Sequence, residues 1–172
     1  MDVDILAPEV AALAQRLLGR GWRLATAESC TGGLIAATCT AVAGSSHWFD
    51  RGFVTYSNEA KTELLGVPAA LIAAHGAVSE PVALAMALGA VARSAADLSV
   101  AVTGIAGPGG AVPGKPVGTV WLALAVRGAE ATAQRLQFDG DRAAVRDATT
   151  ALALERLTWR AGILDGLAPV GR

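Results

Sequence analysis

Histidine and cysteine are scarce in this sequence, with two of each among 172 residues. Cys30 and Cys39 are too few for a structural zinc site, and neither belongs to a Cys-x-x-Cys redox pair. They read as buried free thiols, with Cys30 better placed for reactivity because it lies beside a helix N-terminus. His47 and His75 have no evident carboxylate to orient them, and a Gly-x-Ser-x-Gly elbow is absent, which leaves no Ser-His-Asp triad. His47, next to Trp48 and Phe49, reads as structural or as a contact at the edge of a substrate. An excess of charge is also lacking. The formal net charge is −1 and the 14 basic residues are scattered, without the basic stripe of a nucleic-acid-binding face. No apolar run reaches membrane-spanning length, although 53% of residues are hydrophobic and the mean hydropathy is +0.46. Much of that hydrophobicity is alanine, which suits closely packed helices. The start, Met1-Asp2-Val3-Asp4, is acidic and lacks the basic region of a signal peptide. The chain reads as cytoplasmic, with no membrane and no nucleic-acid partner.

What is present is an alternation of strands and helices. Pro8 to Gly19 has helical spacing, with Pro8 in the first turn and Gly19 and Gly21 at the end. Trp22 to Ala27 reads as a strand. The polar turn Glu28-Ser29-Cys30-Thr31-Gly32-Gly33 follows it and leads into a helix from Leu34 to Val42. Such a turn exposes backbone N–H groups and a hydroxyl at a helix start. Phe53 to Tyr56 reads as a buried strand that breaks at Ser57-Asn58, good N-cap residues, into a helix carrying Glu59, Lys61, Leu64 and Leu65.

After the break at Gly66-Val67-Pro68, a short helix spans Ala69 to Ala74, and Ser79-Glu80-Pro81 opens a long Ala/Leu/Met helix. Leu98 to Thr103 reads as a central strand running into the glycine-dense segment Gly104 to Gly110. Val117 to Val126 and Ala131 to Phe138 form a hairpin around Arg127-Gly128. Asp139-Gly140-Asp141 caps a last helix with Val145, Ala148, Leu152 and Leu157 on its apolar face. This order predicts a single-domain three-layer α/β/α sandwich with a mixed sheet over residues 1–165, and a loose tail over 166–172.

Ligands of such sheets gather at the carboxyl ends of strands. Three turns in this chain follow strands: Glu28–Gly33, Tyr56–Lys61 and Thr103–Gly110. Their polar residues suit a serine activated by a lysine. Lys61 must then be neutral near pH 7, far below the usual lysine value of about 10.4. Burial and the positive end of the helix dipole both act in that direction. Tyr56 could hydrogen-bond the serine or the lysine and shuttle a proton. Ser29 and Ser46 compete as nucleophile, and spacing alone does not separate them. The segment Gly104–Gly110 lacks the Gly-Lys-Ser/Thr ending of a Walker A loop but suits a backbone nest for a phosphate or carboxylate. Arg142, at the start of the last helix, could pair with an anion.

Several blocks occur together in one order. They are Thr26–Gly33 (TAESCTGG), Gly44-Ser45-Ser46, Arg51–Lys61 (RGFVTYSNEAK), His75–Glu80 (HGAVSE), Thr103–Pro108 (TGIAGP), Lys115–Val120 (KPVGTV) and Gly140-Asp141-Arg142. In this the chain closely resembles the CinA carboxy-terminal domain family, named for competence/damage-inducible protein, over roughly residues 7 to 160. Stand-alone members of that family include the bacterial nicotinamide mononucleotide deamidase. The resemblance implies a serine amidohydrolase that converts a pyridine mononucleotide carboxamide to the acid and ammonia by a Ser/Lys dyad, with no cofactor and no metal. By the same match, the catalytic residues are Ser46, Lys61, Tyr56 and Ser29, and the resemblance favours Ser46 over Ser29 as nucleophile. The implied substrate-binding residues are Glu28, Thr31, Gly32, Gly33, Ser45, Thr103, Gly104, Gly107 and Arg142. A nucleotide-binding or partner-interaction module with little turnover is the alternative. The apolar, alanine-rich helices are compatible with a homo-oligomer.

Overall fold

A computed structural model describes residues 6–163; the tail expected at 166–172 lies outside them. The elements are α1 (Ala7–Arg20), β1 (Leu24–Glu28), α2 (Leu34–Thr40), a short 3-10 turn (Ser45–His47), β2 (Phe49–Val54), α3 (Asn58–Leu65), α4 (Ala69–His75), α5 (Glu80–Ala92), β3 (Leu98–Gly104), β4 (Thr119–Val126), β5 (Thr132–Gln137) and α6 (Arg142–Ile163). The sheet order is β2-β1-β3-β4-β5. β1 pairs in parallel with both β2 and β3, whereas β3–β4 and β4–β5 are antiparallel. The sheet is therefore mixed, as the hairpin requires.

Side-chain alternation along the strands builds two unequal layers. Leu24, Leu98, Val100, Val102, Leu122 and Leu124 fill one face, against α1, α2 and α6. Ala25, Ala27, Ala101, Ala123 and Ala125 face the other way, toward α3, α4 and α5. Small side chains on that second face let α5 lie close. Ser99 Oγ donates a 2.8 Å hydrogen bond to the Ala87 carbonyl, and a Cβ on Gly89 would sit 2.1 Å from the Leu65 carbonyl oxygen. An alanine there would have to push α5 off α3.

The second strand departs from the sequence expectation. It runs Phe49–Val54 instead of starting at Phe53, and it is a half-exposed edge rather than a buried strand. The Thr55 amide makes a last 2.8 Å hydrogen bond to the Glu28 carbonyl, and Tyr56 has left the sheet. Tyr56 is 59% exposed and is not a core aromatic. Periodicity reads side-chain spacing but not a strand's place in the sheet, and an edge strand buries only one flank. Among the described residues no helix is long and apolar enough to cross a membrane.

Candidate active site

The parallel register sets Glu28 at the end of β1 opposite Val54 at the end of β2 and Val102 near the end of β3. Whatever follows these strands emerges side by side. Pairing continues one residue past β1, because the Ser29 amide donates to the Val102 carbonyl at 3.0 Å. Alternation then turns Glu28 toward α2 and Ser29 to the opposite face, toward α3.

On that face stands Lys61, in the first turn of α3. Ser57 caps this helix by accepting a 3.0 Å hydrogen bond from the Ala60 amide. Lys61 is 1% exposed. Its Nζ lies 3.2 Å from Ser29 Oγ and donates to the carbonyls of Thr55 at 2.8 Å and Ser57 at 3.5 Å. Among the described residues no carboxylate forms an ion pair with it. Burial pulls the amine down from its usual value, against smaller opposing pulls from Cys30 and Glu59. An amine held by neutral oxygens and removed from water is poised to be a base.

Around this pair lies a cleft of about 220 Å³, lined among others by Tyr56, Asn58, Val78, Thr103, Gly104 and Arg142. Thr103 is 1% exposed, and its hydroxyl donates to the Ala77 carbonyl at 2.9 Å, which fixes that wall. Gly104 is needed for close approach, since a Cβ there would meet Val120 Cγ2 at 2.7 Å. A second, wider cleft of about 530 Å³ adjoins the first. Ala106 and Arg142 belong to both, and Gly107, Gly140 and Arg146 line the second.

Several expected residues play other parts. Glu28 is fully buried, and its carboxylate accepts from Thr26 Oγ1 and the Ala36 amide at one oxygen and from Thr31 Oγ1 and the Gly33 and Ile35 amides at the other. Five donors exhaust its lone pairs, so it anchors the start of α2 and has none left for a ligand. Thr31 and Gly33 belong to the same anchor, the Gly32 amide donates to the Ser29 carbonyl at 3.1 Å, and none of the three lines either cleft. The α2 amides that the turn was expected to offer an anion are spent on Glu28.

Ser45 and Ser46 sit in the 3-10 turn before β2, while Lys61 follows the end of β2. The Leu24 amide donates to the Trp48 carbonyl, which puts that turn at the amino end of β1. The length of β1, roughly 16 Å at about 3.3 Å per residue, separates Ser46 from Ser29. Within this chain Ser29, not Ser46, is the serine that reaches Lys61. Cys30, suggested as reactive, is buried, which pushes its thiol up to about 12 and keeps it protonated. Cys39 is shifted the same way by burial.

Arg146 was not anticipated. It stands one helical turn beyond Arg142 and donates to the Thr31 carbonyl at 2.8 Å. The i, i+4 spacing of two arginines at a helix start was the available signal. Among the described residues no three of histidine, cysteine, aspartate and glutamate converge as a metal-binding set.

A family model described as the CinA C-terminal domain matches residues 7–160. Nicotinamide-nucleotide amidohydrolase PncC of Escherichia coli (strain K12) is 54% identical over 148 residues, which cover 86% of this chain and 89% of that protein. A putative competence-damage inducible protein of Symbiobacterium thermophilum is 56% identical over 164 residues, covering 90% of this chain but 38% of that longer protein. The crystal structure of competence damage-inducible protein A (ComA) from Klebsiella pneumoniae superposes with a TM-score of 0.87 at 42% identity, covering 94% of this chain and 98% of that one.

Proposed function

The chain belongs to the CinA C-terminal domain family, and from that premise we propose that it is a nicotinamide-nucleotide amidohydrolase working through Ser29 and Lys61. The relative of that name matches nearly end to end, which supports the substrate class. The observation that carries the mechanism is the 3.2 Å approach of Lys61 Nζ to Ser29 Oγ, in a buried setting without a carboxylate partner.

Neutral Lys61 takes the Ser29 proton as Oγ attacks the carboxamide carbon of the pyridine ring. The tetrahedral intermediate collapses by breaking the C–N bond, and Lys61 returns the proton to the departing nitrogen, which leaves as ammonia. Water then attacks the acyl-serine ester with Lys61 again as base, which frees the carboxylate and restores Ser29. Positively charged Lys61 could not start this sequence, and burial lowers its pKa toward the neutral form.

The paired clefts fit a two-part ligand. The smaller one takes the ring and its carboxamide beside Ser29, and the larger one takes the ribose phosphate. Arg142 and Arg146, at the positive end of the long helix α6, supply donors for the phosphate. Ammonia release from nicotinamide mononucleotide tests this reading. The wild type should turn over and Ser29→Ala should not. Absence of turnover by the wild type would instead favour a nucleotide-binding module.

A further inference from the structure

Arg142 stands between the two clefts and is committed to both. One terminal nitrogen donates to the Gly107 carbonyl at 3.0 Å and the other to the Tyr56 hydroxyl at 2.7 Å. Gly107 lines the wider cleft; Tyr56 lines the cleft of Ser29 and Lys61. Tyr56 is more than half exposed, so packing does little to hold its ring, and it makes no hydrogen bond to Ser29 or Lys61. The Arg142 contact fixes where that hydroxyl points.

A guanidinium donates in one plane through a fixed fork, so a phosphate that engages both terminal nitrogens competes with the Tyr56 hydroxyl for the N–H aimed at it. An ionised phosphate adds a full opposite charge that a neutral hydroxyl lacks, which makes it the stronger acceptor for the guanidinium. We propose that Arg142 makes turnover depend on the phosphate of the substrate. A phosphate seated between Arg142 and Arg146 takes over the guanidinium nitrogen that holds Tyr56, and the freed hydroxyl swings to Ser29, Lys61 and the carboxamide. Binding energy from a remote group is thereby spent at the reacting bond. Arg142 becomes a specificity-determining residue that separates nucleotides from nucleosides in kcat and not only in KM. The inference rests on the proposed reading of a pyridine mononucleotide amide as substrate.

Two measurements test it. The first compares kcat on the mononucleotide with kcat on the matching nucleoside, which carries the same carboxamide and no phosphate. The wild type should lose about tenfold or more in kcat without the phosphate, and Arg142→Ala should process both at similar kcat. A wild type that separates them in KM alone overturns the proposal.

The second is free of turnover. Tyr56 is the only tyrosine in the chain, so protein labelled with 13Cζ-tyrosine gives a single ring signal. Ribose 5-phosphate, with binding followed by calorimetry, should move that signal in the wild type and leave it in place in Arg142→Ala. No binding, or binding that leaves the wild-type signal unmoved, overturns the proposal. If the mononucleotide releases no ammonia, the functional reading falls, while the tyrosine signal still decides the role of Arg142.

Discussion

Two strand-to-helix turns lie side by side in this protein, and each buries a charged residue type. The turn after β1 buries Glu28 and the turn after β2 leads to Lys61. Glu28 meets five hydrogen-bond donors, three of them backbone amides of the turn and first helical residues around α2. Lys61 meets two carbonyl oxygens and a serine hydroxyl, with no opposite charge in ion-pairing range among the described residues. A buried charge is tolerable when its hydrogen-bonding capacity is filled, and otherwise the group gives up its charge. Glu28 follows the first course. Lys61 is drawn toward the second, since burial lowers its pKa and so favours the neutral form that a base needs.

Removing the reactive side should have the largest effect. Lys61→Ala and Ser29→Ala should each lower ammonia release at least about 100-fold, as for loss of a general base or its nucleophile. Ser46→Ala should stay within a few-fold of wild type. Equal losses in Ser29→Ala and Ser46→Ala would mean that reach to Lys61 does not select the serine.

The structural side should fail in stability instead. Glu28→Gln keeps the shape but turns one acceptor oxygen into a donor, which strands at least one backbone amide at the start of α2. Each stranded buried donor costs about 1–3 kcal/mol, measurable as a lower urea midpoint. A midpoint equal to wild type would show that the carboxylate is not what anchors α2.

The pH dependence distinguishes the two groups next. Burial lowers the pKa of Lys61 in the folded protein, so across the interval from that lowered value to the usual ~10.4 the unfolded chain binds the extra proton. Stability should therefore rise with pH through that interval, and the rise should vanish in Lys61→Met. Over the same lowered pKa, kcat/KM should increase with pH as the amine becomes neutral. A flat profile in both measurements would mean that Lys61 is not titrating.

The smallest effect is expected beside Lys61, at Thr55. Its hydroxyl is buried without a hydrogen-bond partner among the described residues, while its backbone carbonyl holds the lysine amine. Thr55→Val keeps the carbonyl and removes the unpaired oxygen. Stability should hold or rise by up to about 1 kcal/mol, with thermal melting as the check. A clear loss would reveal a partner for that hydroxyl.

Much of this was legible from local pattern. The caps at Ser57 and Asp141, the apolar periodicity of α1 and α6, and the β4–β5 hairpin follow from residues a few positions apart. Lys61 stood out because it sits one turn inside a capped helix after a strand. The roles of Glu28 and Ser46 were not legible. Whether a turn carboxylate faces a ligand or its own helix depends on the face alternation gives it, here the α2 face. Whether a serine before a strand reaches a lysine after it depends on the strand between them, whose extent the sequence placed four residues late.

The α/β order of elements, the family blocks and the lysine that could lose its charge are written along the chain, because capping, periodicity and composition act over short spans. Which serine comes within reach of that lysine is settled by the fold. Parallel pairing of Glu28 with Val54 brings the carboxyl ends of β1 and β2 together and leaves Ser46 at the opposite end of the sheet. Strand pairing is a long-range choice, set by how the two faces bury their side chains, and no spacing along the chain records it.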